Sequence, residues 1–243
     1  MAKLHDEWTV FPHGPVERID DGILSVEGEI RMPLGRLPRR MTAVALTGGR
    51  TVVFSPVCLN ERAMRDVESL GSPAFMVVPN GFHRLDARPW KTRYPEIIVI
   101  CPPGARTRVE QAVPVDATTD VLADPDADFL IAGGMGEAEG ALLVRREAGA
   151  TLILNDLISN VRHPQGVGAN IMARLFGFGV KAPETPLVAR RLYVKDANAL
   201  ASWLKEWARE SRLARIVVSH GDVIEDAPRE VLSHVATALA GSR

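Results

Sequence analysis

Cysteine is scarce in this chain, and its placement argues against one kind of metal site. Cys58 and Cys101 are the only two cysteines among 243 residues, and they form no CxxC pair. Each lies in or beside an apolar stretch, which is typical of buried thiols in a reducing compartment. The sequence therefore disfavours a zinc site built on cysteine, and a metal would have to be held by histidine and carboxylate side chains.

Long apolar runs and strong net charge are also lacking. No run approaches the length that spans a bilayer, and the first residues lack the apolar region of a signal peptide. The net charge of −1 gives no indication of binding to nucleic acid or to an anionic membrane. The basic cluster at 36–40 is broken by Pro38 and is typical of a solvated loop. We expect a cytoplasmic protein with a small-molecule substrate, no nucleic acid partner and no membrane partner; the sequence leaves open whether it is a homo-oligomer.

What is present suits a single domain over residues 1–243. The chain is 46% hydrophobic and 24% charged, which is ordinary for a globular protein with a full core. Turn residues at 47–50 and at 147–150 predict hairpins. Short apolar runs predict strands at 22–26, 41–46, 51–54, 74–78, 97–100, 129–132, 141–145, 151–154 and 216–219.

Capping residues and apolar spacing predict helices between these strands. Asn60, Asp196 and Asp226 can each cap a helix. Trp203 and Trp207 belong to an apolar stripe in the second of these helices, and we expect both to be buried between that helix and a sheet. Early hairpins, with helices after later strands, indicate an α/β protein with mixed sheets.

Three predicted strands end on groups that could bind a metal. The first is followed by Asn80, His83 and Asp86, the second by Asp156, and the third by His220 and Asp222. Taken singly, a histidine after a strand is more often a hydrogen-bonded structural residue, and an aspartate there is often a turn or cap residue. Three such strand ends in one chain favour a metal site, since imidazole and carboxylate together suit zinc, iron or manganese.

The order of segments resembles the metallo-β-lactamase superfamily over about residues 20–225. The segments that carry the resemblance are SVEGEIRMPLGRLPRRMTAVALTGGRTVVFSPV, TLILNDLISN and IVVSHGDVI, and PNGFHRLD followed by W, YP and CPPG resembles a branch with an Asn/His version of the HxHxDH loop. The resemblance implies a four-layer αββα sandwich of two mixed β-sheets. It also implies that Asp156 corresponds to the bridging aspartate and His220 to the last histidine ligand.

The chain departs from that family's pattern at two ligand segments. HxHxDH is absent, and Asn80 stands near the place of its first histidine. The segment of the family's next histidine, IAGGMGEAEG, contains none; its candidates are Met135, Glu137 and Glu139. We therefore expect one divalent ion, zinc before iron or manganese, or no metal at all. Its predicted ligands are His83, Asp156 and His220, with Asp86 as a fourth ligand or a partner of the ligands.

Two classes of function are compatible with this site. With a metal, the resemblance implies hydrolysis of an ester, thioester, amide or phosphoester, with Asp86 or Asp222 as the general base. Without a metal, the same fold would act as a binding or scaffolding module. An iron-dependent oxidoreductase is a third alternative and would need Glu137 as a ligand. Asn80 and His163 are candidates for substrate binding, and His163 can equally be an ordinary surface histidine.

Overall fold

The computed structural model describes residues 4–32, 35–164 and 166–241. These residues form ten strands: β1 His13–Asp20, β2 Ile23–Met32, β3 Gly35–Leu46, β4 Arg50–Phe54, β5 Ser72–Val77, β6 Ile98–Ile100, β7 Ala127–Ile131, β8 Gly140–Arg146, β9 Gly149–Leu154 and β10 Leu213–Val218. The α-helices of the described residues are α1 Glu61–Glu68, α2 Ala87–Arg93, α3 Arg106–Val109, α4 Val167–Phe176, α5 Leu187–Leu192, α6 Ala197–Ala208 and α7 Pro228–Ala240.

Both sheets are mixed, as the sequence predicts. The larger sheet has the order β1-β2-β3-β4-β5-β6. Its first four strands pair antiparallel, while β5 and β6 run parallel to β4. The smaller sheet has the order β10-β9-β8-β7, with β10 parallel to β9 and the other pairs antiparallel. The two predicted hairpins are the antiparallel pairs β3–β4 and β8–β9.

Three buried layers of apolar side chains hold the sandwich together. The middle layer lies between the sheets and includes Val44 and Phe54 from one and Leu142 and Ile153 from the other. One outer layer packs β-strands of the larger sheet against α1 and α2. The other packs the smaller sheet against α6 and α7. The predicted αββα sandwich is therefore confirmed.

Two of the three predicted helix caps are present. Asn60 Oδ1 accepts from the backbone N of Ala63 at 3.0 Å, at the start of α1. Asp196 caps α6 by accepting from two backbone N–H groups at 2.9 Å. The cap predicted at Asp226 is wrong, because Ala227 precedes α7 with a φ of 45° and no side chain bonds to that helix start. Pro228 begins the helix instead, where its fixed φ and missing N–H are tolerated.

The basic cluster at 36–40 is a strand, and its prediction as a solvated loop is wrong. It lies within β3, where Arg39 and Arg40 are each 5% exposed. Arg40 donates to Glu17 and Glu27 at 3.0 and 3.2 Å. Its backbone N also donates to Ser219 O at 2.8 Å, which joins the two sheets. Long-range partners of this kind leave no trace in local sequence patterns.

Several smaller differences from the sequence predictions have local causes. Strand β1 was not predicted, since its half-exposed edge position needs no regular alternation of apolar residues. Trp203 and Trp207 are only partly buried, although both pack against the outer core beside α6. Cys58 and Cys101 are buried and free, as expected. No helix among the described residues is long and apolar enough to cross a bilayer.

Candidate metal centre

Three of the predicted ligands converge at one edge of the sandwich. His83 lies in the loop after β5, Asp156 directly after β9, and His220 just after β10. One ligand atom from each residue lies within 4.8 Å of the others. Asp156 Oδ1 is 3.1 Å from His220 Nε2 and 3.5 Å from His83 Nε2. The spacing is compatible with a single ion, because ligand atoms about 2 Å from a common ion lie roughly 3 Å apart.

Each histidine is oriented by a partner on its far ring nitrogen. His220 Nδ1 is 2.6 Å from Pro38 O, so Nδ1 carries a proton and Nε2 faces Asp156. Nε2 donates to Asp156 when the ring is protonated and offers a lone pair to an ion when the ring is neutral. His83 Nδ1 is 2.9 Å from Ser55 Oγ, which can accept a hydrogen bond from Nδ1–H in the same way. Such partners on the outer nitrogen are usual behind metal-bound histidines.

Ser55 was not identified from the sequence. It directly follows β4 with a φ of 57°, in the left-handed region that a non-glycine residue rarely adopts. This backbone conformation places the hydroxyl against His83, and backbone strain of this kind is often found at functional sites. A serine at a strand end was the available signal, but serine is too common there to be specific.

Asn80 connects two of the three converging residues. Its Nδ2 donates to Asp156 Oδ2 at 2.7 Å and to Glu139 Oε2 at 2.9 Å. Its Oδ1 accepts from the backbone N of Phe82 at 2.8 Å and of His83 at 3.1 Å. Through these contacts the amide holds the loop and the carboxylate, and the contact of Asn80 with a substrate stays a prediction.

Glu139 completes this network from the segment that lacks the family's histidine. It is 2% exposed, and its Oε1 accepts from Asn155 Nδ2 at 2.9 Å and from Asp156 N at 3.1 Å. Met135 is buried in the outer core, and Glu137 is exposed. The amide of Asn80 and the carboxylate of Glu139 thus bond to each other and to the Asp156 segment.

The charges of the three converging groups are strongly interdependent. Burial raises the pKa of Asp156, but the two imidazoles outweigh this and hold it well below the usual range. Burial lowers the pKa of His83 despite the nearby carboxylate. Burial also lowers the pKa of His220, yet its hydrogen bond to Asp156 leaves the pKa raised. The metal-free edge is therefore held by an ion pair between Asp156 and His220.

The other predicted catalytic residues lie elsewhere. Asp86 is fully buried, and its carboxylate forms ion pairs with Arg39 and, at 2.6 Å, with His5 Nδ1. It is not one of the three converging ligands, and its carboxylate is held by these two partners. Asp222 is exposed, and its backbone N donates to Asn160 O at 2.9 Å, which makes it a turn residue. His163 is also exposed.

A largely apolar cavity of about 330 Å³ opens onto the three ligands. Its aromatic wall was not identified from the sequence, since the residues come from three separate loops and helices. Phe82 packs against Tyr193 with ring centroids 5.0 Å apart, and Phe178 lies edge-on to His220 at 6.2 Å. The remaining apolar lining is contributed by Ile30, Leu37, Pro56, Leu85, Pro186, Val188 and Ala189.

Solved structures of metallo-β-lactamases share this architecture. The match to DIM-1 metallo-β-lactamase exposed to ceftazidime has a TM-score of 0.63 and 12% identity, covering 95% of this chain and 99% of that one. FIM-1 from Pseudomonas aeruginosa in the mono-zinc form matches with a TM-score of 0.61 and 12% identity, over 94% and 97%. The metallo-β-lactamase from Pontibacter korlensis matches with a TM-score of 0.63 and 11% identity, covering 93% of this chain and 99% of that one.

These matches define the fold of the chain as that of the metallo-β-lactamases. At such low sequence identity, the matches show the fold and nothing about activity. No family model matches the sequence, and no curated protein matches it either. Any activity must therefore be argued from the site itself.

Proposed function

We propose that the protein is a hydrolase that uses one divalent metal ion held by His83, Asp156 and His220. The convergence of their ligand atoms within 4.8 Å is the observation that carries the proposal. Two imidazoles and one carboxylate form a donor set that suits zinc, with iron or manganese as alternatives, and leave further coordination positions for water and substrate.

The surroundings of the three ligands support this use. Pro38 O and Ser55 Oγ meet the outer ring nitrogens, so both Nε2 atoms are available to an ion. Asn80 holds the second oxygen of Asp156, which leaves Oδ1 toward the histidines. A bound divalent ion would polarise a carbonyl or phosphoryl oxygen and acidify its water. The protein's part is to fix the ligands and to bind the substrate beside them.

The cavity favours substrates with an apolar substituent. The aromatic wall formed by Phe82, Phe178 and Tyr193 can take an acyl or aryl group next to the ligands. We therefore propose an ester, thioester or phosphoester whose apolar part lies in this cavity. Neither Asp86 nor Asp222 lines it, so we propose neither as the general base.

The decisive experiment measures metal and turnover on the same samples. The chain is purified without a chelator or metal-affinity resin, its metal is determined by elemental analysis, and hydrolysis of 4-nitrophenyl esters and phosphodiesters is assayed. We expect about one ion per chain, with metal and turnover both lost in Asp156→Ala and His220→Ala. His234→Ala, at an exposed histidine on α7, is the matched control and should keep both.

One observation favours a second function, that of a metal-free binding module. Asp156 and His220 already satisfy each other at 3.1 Å, as a remnant site would require. In that case the apolar cavity would bind a small molecule without turning it over. Absence of metal in the purified chain, together with a melting temperature that EDTA leaves unchanged, would replace the hydrolase proposal with this one.

A further inference from the structure

Exposed apolar side chains are concentrated in one part of the molecule. Of the ten large hydrophobic side chains that are exposed among the described residues, seven lie between 167 and 192. They are Val167, Ile171, Leu175, Phe176, Leu187, Val188 and Leu192, on helices α4 and α5. Contiguous exposed apolar surface marks an interaction site, whereas scattered exposed residues do not.

Helix α4 shows an apolar outer face. Val167, Ile171 and Leu175 are 79%, 51% and 64% exposed and follow one another at intervals of four residues, so they lie on one side of the helix. The buried residues of α4, Ala169 among them, lie on the opposite side. A surface helix ordinarily presents polar residues to water, so the outer face of α4 is built to be covered.

The same part of the chain is strongly basic. Between 160 and 195 there are six basic residues and one acidic residue, Glu184. Removing these from the 29 basic and 30 acidic residues of the whole chain leaves 23 and 29, so the rest of the chain is acidic. The overall charge of −1 conceals this segregation. Among the described residues, no carboxylate forms an ion pair with Arg162, Arg174, Lys181 or Arg191.

A basic cavity adjoins the apolar face. It has a volume of about 460 Å³ and lies between the α4–α5 region and α7. Arg174, Lys181 and Arg190 line it together with His234, and Glu184 is its single acidic residue. Its size and charge suit a phosphate-bearing headgroup, and Arg174 belongs both to this cavity and to α4.

We propose that residues 160–195, the α4–α5 segment, dock the protein on a membrane surface that contains anionic phospholipids. The apolar face of α4 would enter the boundary between headgroups and acyl chains, while the basic side chains meet the phosphates. A second copy of the chain fits less well, because a two-fold contact would bring the same cations of both copies together. The overall charge led us to expect no membrane partner, and the local segregation of charge reverses that expectation.

The segment also forms part of the apolar cavity beside the metal ligands. Phe178, Pro186, Val188 and Tyr193 belong to both. Docking through this segment would bring the cavity mouth close to the lipid. The docking itself does not depend on a metal or on turnover, so it can fail or succeed independently of the proposed hydrolase activity.

The test is co-sedimentation of the full chain with vesicles of phosphatidylcholine alone and with an equal share of phosphatidylglycerol. We expect binding to the mixed vesicles, weaker binding at high salt, and little binding to phosphatidylcholine alone. Arg174→Gln with Lys181→Gln should weaken partitioning by about fivefold for each neutralised side chain. Ile171→Ser with Leu175→Ser should abolish measurable binding.

Matched variants elsewhere on the surface make the result specific. Arg62→Gln with Arg65→Gln removes two exposed cations from α1, and Val121→Ser removes an exposed apolar side chain. Both should bind vesicles as the unmodified chain does. Equal binding to neutral vesicles, or equal losses in the α1 and Val121 variants, would overturn the proposal. So would a dimer in solution that Ile171→Ser with Leu175→Ser converts to a monomer while no vesicles are bound.

Discussion

The metal edge, formed by Asn80, His83, Glu139, Asp156 and His220, contrasts with the α4–α5 segment a short distance away. At the edge, nearly every polar atom has a partner inside the protein, and most of the side chains are buried. Along the segment, seven large apolar side chains face outward, and Arg162, Arg174, Lys181 and Arg191 are exposed. The first region is complete within the chain, whereas we propose that the second binds something outside it. Substitutions should therefore cost stability at the edge and binding along the segment.

The largest loss of stability is expected just behind the edge, at Asp86→Ala. This change leaves Arg39 buried without its carboxylate, and breaking a buried pair on one side costs about 3–5 kcal/mol of unfolding free energy. Urea unfolding measures it. Metal content of the folded variant should be unchanged, since Asp86 is not one of the three converging ligands. Loss of metal from a folded variant would show that Asp86 takes part in metal binding.

A smaller loss is expected at Asn80→Ala. The change removes the amide oxygen that accepts from two loop N–H groups. It also removes the amide nitrogen that donates to the carboxylates of Asp156 and Glu139. Leaving such buried groups unpaired costs about 1–3 kcal/mol of unfolding free energy. Metal affinity should fall as well, because the loop that carries His83 loses its anchor. A variant as stable as the unmodified chain would show that water replaces the amide.

The unfolding free energy of the metal-free chain should depend on pH because of the ion pair between Asp156 and His220. The pKa of Asp156 lies below its ordinary 3.8, so the contribution of Asp156 to the unfolding free energy is lost as pH falls through the lowered value. The pKa of His220 lies above its ordinary 6.5, so its contribution is complete below 6.5 and lost as pH rises through the raised value. The stabilisation should be greatest between roughly pH 4 and 6.5.

Unfolding in urea with EDTA across this range, for the unmodified chain and for Asp156→Ala, measures the effect. The difference in unfolding free energy between the two should be largest inside the window and shrink on both sides. A difference that stays constant with pH would mean that the pair does not form. Asp222→Ala, at an exposed carboxylate, should show no such window.

The smallest effect on stability is expected along the segment. Leu175→Ser changes a side chain that is 64% exposed, so the unfolding free energy should move by no more than about 0.5 kcal/mol. Vesicle binding should nevertheless fall. A loss of stability as large as that of Asn80→Ala would mean that Leu175 packs within the protein, and the contrast between the two regions would disappear.

Sequence reasoning succeeded where local patterns determine structure. Alternating and apolar runs located nine of the ten strands of the described residues. One strand end of the larger sheet and two neighbouring strand ends of the smaller sheet brought His83, Asp156 and His220 to one edge. It failed where a distant partner decides the conformation. Arg39 and Arg40 resemble loop residues until their buried carboxylate and carbonyl partners are known.

The buried surroundings of Asp86 were not predicted, for the same reason. Its spacing from His83 resembles that of a ligand, but Arg39 and His5 lie 47 and 81 positions away in the sequence and hold its carboxylate. Ser55 and Pro38 orient the histidines through contacts that span 28 and 182 positions of the chain. The helix α4 is apolar in sequence, but only the burial of its side chains distinguishes a covered face from an open one.

The contact between His220 and Pro38 has a consequence for how the protein folds. These residues are 182 positions apart, and Arg40 donates to Gly221 O across 181 positions. Contacts that close such long stretches of chain form late, because the loop entropy must be overcome first. During synthesis, His220 can reach its final orientation only after β10 has emerged. The metal edge should therefore be among the last parts to form, and a chain released before His220 would fold, if at all, without it.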